Sequence, residues 1–436
     1  MPTSEIKESD KIYKIINARL LIEHEIVENA YLWFQNGKII HPQNLFFSAR
    51  RDADEIIDAK GLLVVPGFID TQINGSYGID FADYEEPVEV LQKNIDKVAK
   101  GLLQYGCTAF CPTVVSSAAE VYQKVLPLLN HRKGSATGGA EILGAHVEGP
   151  FISVLKKGAH KQAVFKDAKN GIKDFDEVYG PELLKGNKAV SIITMAPEID
   201  GVCDAIPDLV ARGITISMGH SACRIAEAEE AVTKGANSIT HLFNAMQAFH
   251  HRDPGLIGVL GACDLPIPET SVGHPAPSST SPDRKRPDPR PFYGLICDGV
   301  HVHPNSIRMA YYSHPTGAVL VTDTLSAAGL PSGIYQLGGS EVEVVEDGAA
   351  YIKGTTTLAG STITIVQCIR NFRKFTNCPL VEAIEAATLH PARLLGIEDR
   401  KGTLNVGGDA DLVFLDDTNG DIAVKRVFVA GEEVKL

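Results

Sequence analysis

Glu148 follows LGAHV, His220 follows ITISMG, His241 follows SIT, Asp298 and His301 follow GLIC, and Asp323 follows AVLVT. Each preceding run is short and apolar, the texture of a buried strand, so these side chains are expected just past strand ends. Two imidazoles and one carboxylate (His220, His241 and Glu148) form a common ligand set for a catalytic divalent ion with a place left for water. Such an ion would lower the pKa of a water from about 15.7 toward neutrality and polarise a carbonyl. Asp323 would then take the proton as that water attacks and return it to a departing nitrogen. His301 would donate to the carbonyl oxygen as negative charge develops there. Any one of these residues alone would serve equally well as a strand-end hydrogen bonder or a helix cap. A set of them ending different strands requires a shared cavity.

The elements that position them alternate. VVPGFID, CTAFCPTVV, EILGAHVEG, AVSIITMAPE, ITISMGH, SITHLF, FYGLICDGVH and AVLVTDT read as strands, with helix-length stretches such as VEVLQKNIDKVAKGLLQYG and ACRIAEAEEAVTKGA among them. Continuously apolar strands joined by helical crossovers predict an α/β fold of the (β/α)₈ TIM-barrel type, with a doubly wound sheet as the competing arrangement. In a barrel the strands' C-terminal ends face one cavity. PLVEAIEAATLHPARLLG reads as one further helix, ended by Gly396.

The two ends of the chain have another texture. Short apolar runs broken by turns occupy Lys11 to Leu63 and recur in DADLVFLD and VKRVFVAGEEV, with Asn36-Gly37 and Ala430-Gly431 as hairpin turns. The expected division is a small β-sandwich from residues 1–65 and 397–436, around a barrel over 66–396. Residues 264–291, dense in Pro and Ser with a basic cluster, interrupt the barrel pattern. They read as a long exposed or disordered loop whose charges face solvent and whose Ser and Thr could serve a partner or a modification. Lying between Arg252 and His301, the insertion could disturb a lid, a subunit contact or activity.

Composition narrows the function classes. A net charge of −13 disfavours nonspecific nucleic-acid binding, and no apolar run is long enough for a membrane span or a standard signal peptide. Eight scattered cysteines read as reduced core thiols, which together point to a cytoplasmic protein.

PGFIDTQINGSYGIDF, HVEGPFISVLKKGAH, SMGHSAC, THLFNAM, HHRDPGLIG, DGVHVHP, VTDT and GTTTLAGS occur in this order from about Gly61 onward. In these motifs the sequence resembles the N-acetylglucosamine-6-phosphate deacetylases of the amidohydrolase superfamily. The resemblance implies hydrolysis of N-acetyl-D-glucosamine 6-phosphate to D-glucosamine 6-phosphate and acetate. It places metal ligation on Glu148, His220 and His241, and catalysis on Asp323 and His301. His160 would contact the sugar, Asn244 and the Ala245 backbone the phosphate, and Leu358 and Ala359 the acetyl end. Arg252 would cross to the phosphate of a neighbouring subunit in a homodimer.

Where many amidohydrolases carry His-x-His and two metals, this chain has Gln72-Ile73-Asn74, which predicts one ion per subunit. Zn²⁺ is expected, with Fe²⁺, Co²⁺ and Mn²⁺ compatible with the mixed ligand set. Gln72, Asn74 and His146 are candidates for supporting the site, with core packing equally open for His146. The rival readings are another amidohydrolase reaction, such as deamination or cyclic-amide hydrolysis, which needs no phosphate anchor, and a silent barrel serving as a scaffold.

Overall fold

A computed structural model describes residues 11–44, 52–186, 189–268, 272–277, 287–337, 340–345, 349–355, 358–418 and 420–436. Eight parallel strands run Phe68–Ile73, Cys107–Val115, Ala145–Glu148, Val190–Met195, Thr215–Met218, Ser238–Ile239, Phe292–Ile296 and Ala318–Val321, each paired with the next. They form the expected (β/α)₈-like barrel. Most are buried along their whole length, which explains the unbroken apolar runs. Inside, Ile69, Ala109, Cys111 and Ile192 pack on Ala392 and Leu395, so the chain around residues 389–395 fills the bottom of the barrel. Outside, Phe110, Ile193 and Leu320 pack on helices through residues such as Ile95, Leu209 and Ile369. The helix Val88–Leu102 shows how sequence sets this layer. Leu91, Ile95, Val98, Ala99 and Leu102 recur at helical spacing and are its buried face, worth about 1.5–3 kcal/mol for each large side chain.

The first and eighth strands close the ring without a regular ladder. At the top, the Asp323 N–H donates to the Gln72 carbonyl at 2.8 Å and the Asn74 N–H to Thr324 at 2.8 Å. At the bottom, Leu320 donates to Ala386 and Ile69 to Ala387. Those two carbonyls explain a departure from expectation. The stretch read as one helix ending at Gly396 is two, Leu380–Glu385 and Leu389–Leu394, broken where its backbone is used to seal the barrel.

Strands from both ends of the chain make an accessory sheet. Leu63–Pro66 pairs antiparallel with Leu412–Asp416, and the order continues through Ile12–Ile22 and Glu25–Gln35 to Lys38–Ile40. The Ile39 N–H reaches Gly408 at 2.9 Å, so this sheet curls back on itself around Leu20, Phe34, Leu412 and Phe428. Both hairpin turns form with positive φ at each central residue, 50° and 72° at Asn36-Gly37 and 49° and 80° at Ala430-Gly431.

Two findings correct the sequence reading. An antiparallel unit of Gly333–Leu337, Ser340–Val344, Ala350–Ile352 and Leu358–Gly360 follows the eighth strand, and its charged, alternating residues had not been read as strands. The described parts of 264–291 are not a solvated loop. Arg290 and Asp288 are fully buried and paired at 2.6 Å, and Arg290 also donates to the Leu260 and Ser313 carbonyls. The Asn237 amide bonds Gly273, and Thr316 bonds Ala276. Asn237 and Thr316 precede strands six and eight, so these anchors lie at the barrel end opposite the candidate site. Composition hid this because burial falls on a charged pair completed by carbonyls distant in sequence. The basic cluster and the run Ser278 to Ser281 lie outside the described residues.

Candidate metal centre and active site

Each candidate residue stands where a strand stops. Glu148 ends the third strand, while His220, His241 and Asp323 come one residue after Gly219, Thr240 and Thr322, which follow strands five, six and eight. All three take positive φ, 47°, 31° and 47°, a conformation that costs a non-glycine residue roughly 1–3 kcal/mol. Strain at three neighbouring polar residues turns their side chains into one cavity. Gly219 is needed beneath them, since a Cβ there would lie 2.8 Å from that of Thr240.

Glu148 Oε1 lies 2.9 Å from His220 Nε2 and 3.0 Å from His241 Nε2, and the two nitrogens are 3.1 Å apart. His160 Nε2 is 3.9 Å from the same oxygen. Glu148, His160 and His220 offer ligand atoms all within 4.8 Å of one another, and His241 is nearer to Glu148 than His160 is. All four are buried. This buried group can chelate a divalent ion.

Hydrogen bonds separate the imidazoles. His220 Nδ1 is 2.8 Å from the Lys156 carbonyl, which only accepts, so Nδ1 carries a proton and Nε2 is the nitrogen turned toward Glu148. Two imidazole nitrogens and one carboxylate oxygen, 2.9 to 3.1 Å apart, must share protons or a cation between them, and this donor set fits a metal. His160 differs. Its Nδ1 is held by a side chain, 2.8 Å from Ser116 Oγ and 3.3 Å from the Ser116 N–H, which leaves Nε2 facing the cavity. Burial, helped by the neighbouring His220, pushes the His160 pKa down to about 3, so the ring is neutral.

Burial alone would raise the Glu148 carboxyl, but hydrogen bonds to His220 and His241 outweigh it and hold it well below the usual carboxylate range. Asp323 moves the other way, raised by burial and then by the Glu148 charge. Two carboxylates in one cavity are thus driven apart, one to stay ionised and one to hold a proton more readily.

The structure brings most of the remaining sequence-predicted residues to this cluster. Gln72 Nε2 approaches Glu148 Oε2 at 3.4 Å, and Asn74 Nδ2 donates to Asp323 Oδ1 at 2.7 Å. His301 Nδ1 pairs with Asp298 Oδ2 at 2.6 Å, and Asn244 Nδ2 bonds the His241 carbonyl at 3.2 Å. The Ala245 carbonyl accepts from the Ser221 N–H at 3.1 Å. His146 spans Thr71 and Thr194 Oγ1 at 3.0 and 2.7 Å, and burial takes its pKa down to about 4. Leu358 is half-buried in the unit after strand eight, and Arg252 is exposed with its guanidinium 3.1 Å from His251. Sequence reasoning gave no part to Ser116 or to the Lys156 carbonyl. Nothing in composition marks a serine or a backbone oxygen as the group that orients an imidazole.

The sequence model of the Amidohydrolase family matches residues 63–434. An N-acetylglucosamine-6-phosphate deacetylase of Danio rerio is 42% identical over 435 residues, covering 100% of this chain and 99% of the relative. The chain belongs to the N-acetylglucosamine-6-phosphate deacetylase branch of the amidohydrolase family. The deacetylase of Rattus norvegicus is 46% identical over 405 residues, 92% of this chain and 91% of the relative. Among solved structures, the Pasteurella multocida deacetylase superposes with a TM-score of 0.78 at 26% identity, covering 98% of this chain and 100% of that one. A Mycobacterium smegmatis mutant in complex with N-acetyl-D-glucosamine-6-phosphate gives 0.76 at 28%, again covering 98% and 100%. Membership of this branch makes the amides at Gln72 and Asn74 notable: the first strand offers the cluster no imidazole, and the buried donors come from later strands.

Proposed function

We propose that this chain hydrolyses the acetamide of N-acetyl-D-glucosamine 6-phosphate, giving D-glucosamine 6-phosphate and acetate. The observation that carries the reading is the convergence of Glu148, His220 and His241 beside an Asp323 whose carboxyl is raised. Those three residues would hold one divalent ion per subunit, Zn²⁺ first, with Fe²⁺, Co²⁺ and Mn²⁺ suited to the same donors. When bound, such an ion makes a water more acidic and polarises a carbonyl.

The chain's own groups account for the rest. Asp323, oriented by Asn74, takes the proton of the attacking water and delivers it to the leaving nitrogen. His301 faces the acetyl carbonyl oxygen. Its Nδ1 is committed to Asp298, which leaves Nε2 as the nitrogen turned to that oxygen. His160, held at Nδ1 by Ser116, meets a sugar oxygen through Nε2. Leu358 walls the acetyl group, and Asn244 with the Ala245 backbone receives the phosphate.

The working unit in this reading is a homodimer in which Arg252 meets the phosphate of the neighbouring site. In support, Arg252 is exposed and Phe249 and Leu155, on loops following strands six and three, are 63% and 80% exposed. A cytoplasmic location fits cysteines that form no disulfide, and none of the described helices is long and apolar enough to cross a membrane.

The test is acetate release from N-acetylglucosamine with and without its 6-phosphate. Strong preference for the phosphorylated sugar is expected, and equal turnover of the two would overturn the assignment.

A further inference from the structure

Asp70 takes no part in the chemistry above, yet it is a carboxylate only 1% exposed at the seam between the first and eighth strands. Its Oδ2 accepts from Thr322 Oγ1 at 2.5 Å, and its Oδ1 accepts from the Thr322 and Gln72 N–H groups at 3.3 Å each. The Thr322 N–H would ordinarily find a carbonyl on the neighbouring strand. Here the Asp70 side chain substitutes for that carbonyl.

On the other side stands Ser361, the last residue of GTTTLAGS, a motif in which only Leu358 and Ala359 have been given a part. Its hydroxyl donates to the Thr322 carbonyl, and its N–H donates to the Asp323 carbonyl at 3.1 Å. The Asp323 N–H is held by Gln72 at 2.8 Å. Every backbone polar group of Thr322 and Asp323 is therefore held by the first strand or by Ser361, and Asp323 sits between them at a φ of 47°. Without these bonds Asp323 would relax toward negative φ, and its carboxylate would swing away from Asn74.

We propose that Asp70, Thr322 and Ser361 form a clamp on the backbone around Asp323 and act as positioning residues for it. The proposal rests on the reading of Asp323 as the proton-transfer group. It differs from simple seam stabilisation because the clamp fixes a strained conformation at one reacting residue.

The test is Thr322→Val, which removes the hydroxyl with little change of volume, alongside Thr322→Ser, which keeps it, and Ser361→Ala as an independent cut on the other side. Displacing a reacting group by about 1 Å can cost 10²-fold, so Thr322→Val and Ser361→Ala are expected to lower kcat about ten- to a hundredfold. KM and bound metal should stay as in the wild type, and Thr322→Ser should recover most of the turnover. In an Asp323→Asn background, Thr322→Val should have no further effect on the residual rate, since the group being positioned no longer transfers a proton. A lower melting temperature with kcat of the folded protein unchanged in both Thr322→Val and Ser361→Ala would overturn the clamp, as would an equal proportional loss in the two backgrounds. Full turnover by Asp323→Asn alone would instead remove the assignment of Asp323 on which the clamp rests.

Discussion

Glu141, four residues before the third barrel strand, and Glu148, which ends it, lie close together in sequence, and each is the centre of a buried polar cluster. Below the barrel, Glu141 joins Asp409 and Asp411 in a carboxylate group tight enough to hold an ion. That place is filled by the chain itself: Lys401 Nζ lies 2.8 Å from Glu141, 3.1 Å from Asp409 and 2.5 Å from Asp411, and Arg400 and His131 complete the pairing. Above the barrel, Glu148 meets imidazoles rather than an ammonium, and the backbone on both sides is strained. The lower cluster ties the barrel to the segment leading into the accessory sheet. The upper one leaves its charge for something the chain does not supply. Proximity of carboxylates is common to both, so it does not identify a functional site; the identity of the groups facing them does. The same division of labour between the two ends is expected of a barrel.

Exchanging one oxygen for an amide at each end tests this contrast. Glu148→Gln should lose its bound metal and at least about 10³-fold in turnover, more than the roughly 10²-fold that misplacing a reacting group costs. Metal content by mass spectrometry, read with turnover, decides it; retained metal would show that Glu148 is not a ligand. Glu141→Gln should do the opposite. Turnover of the folded protein stays within about twofold, while stability falls by about 3–5 kcal/mol as Lys401 and Arg400 lose a buried partner. A denaturant titration measures this, and a loss of activity without a loss of stability would erase the distinction between the two ends.

The upper end was largely legible in sequence because strand-end placement is a one-dimensional property. Glu148, His220, His241 and Asp323 each follow an apolar run, and the barrel then brings them together whatever the details. The (β/α)₈ fold was legible for the same reason, since strands covered on both faces have no polar alternation. The lower end was not. Arg290 and Asp288 sit in a segment whose Pro and Ser content signals exposure, and their burial depends on helix-end carbonyls distant in sequence. The break after Glu385 likewise follows from barrel closure, a tertiary demand that overrides helical periodicity. The unit over 333–360 escaped because its alternating strands resemble solvated loop. Ser361 and Asp70 escaped because their partners are backbone groups of the eighth strand, which no spacing rule connects to them.

The smallest effect concerns protons rather than metal, and it belongs to the lower end. His390 lies on the helix that fills the bottom of the barrel, fully inside, with Nδ1 donating to the Ala318 carbonyl at 2.7 Å. Burial lowers its pKa to about 4, against about 6.5 in an unfolded chain. Above pH 6.5 the ring is neutral in both states and contributes no pH dependence. As pH falls from 6.5 toward 4 the unfolded chain binds a proton that the folded protein refuses, so stability drops by up to about 1.4 kcal/mol per pH unit for this one group. His390→Gln, which keeps a donor for Ala318, should remove that share of the slope over this window and leave turnover at neutral pH unchanged. Denaturant midpoints of wild type and variant between pH 7 and 4.5 give the difference directly. Parallel curves would mean that His390 accepts its proton in the folded barrel, and that the lower end is less dry than its packing implies.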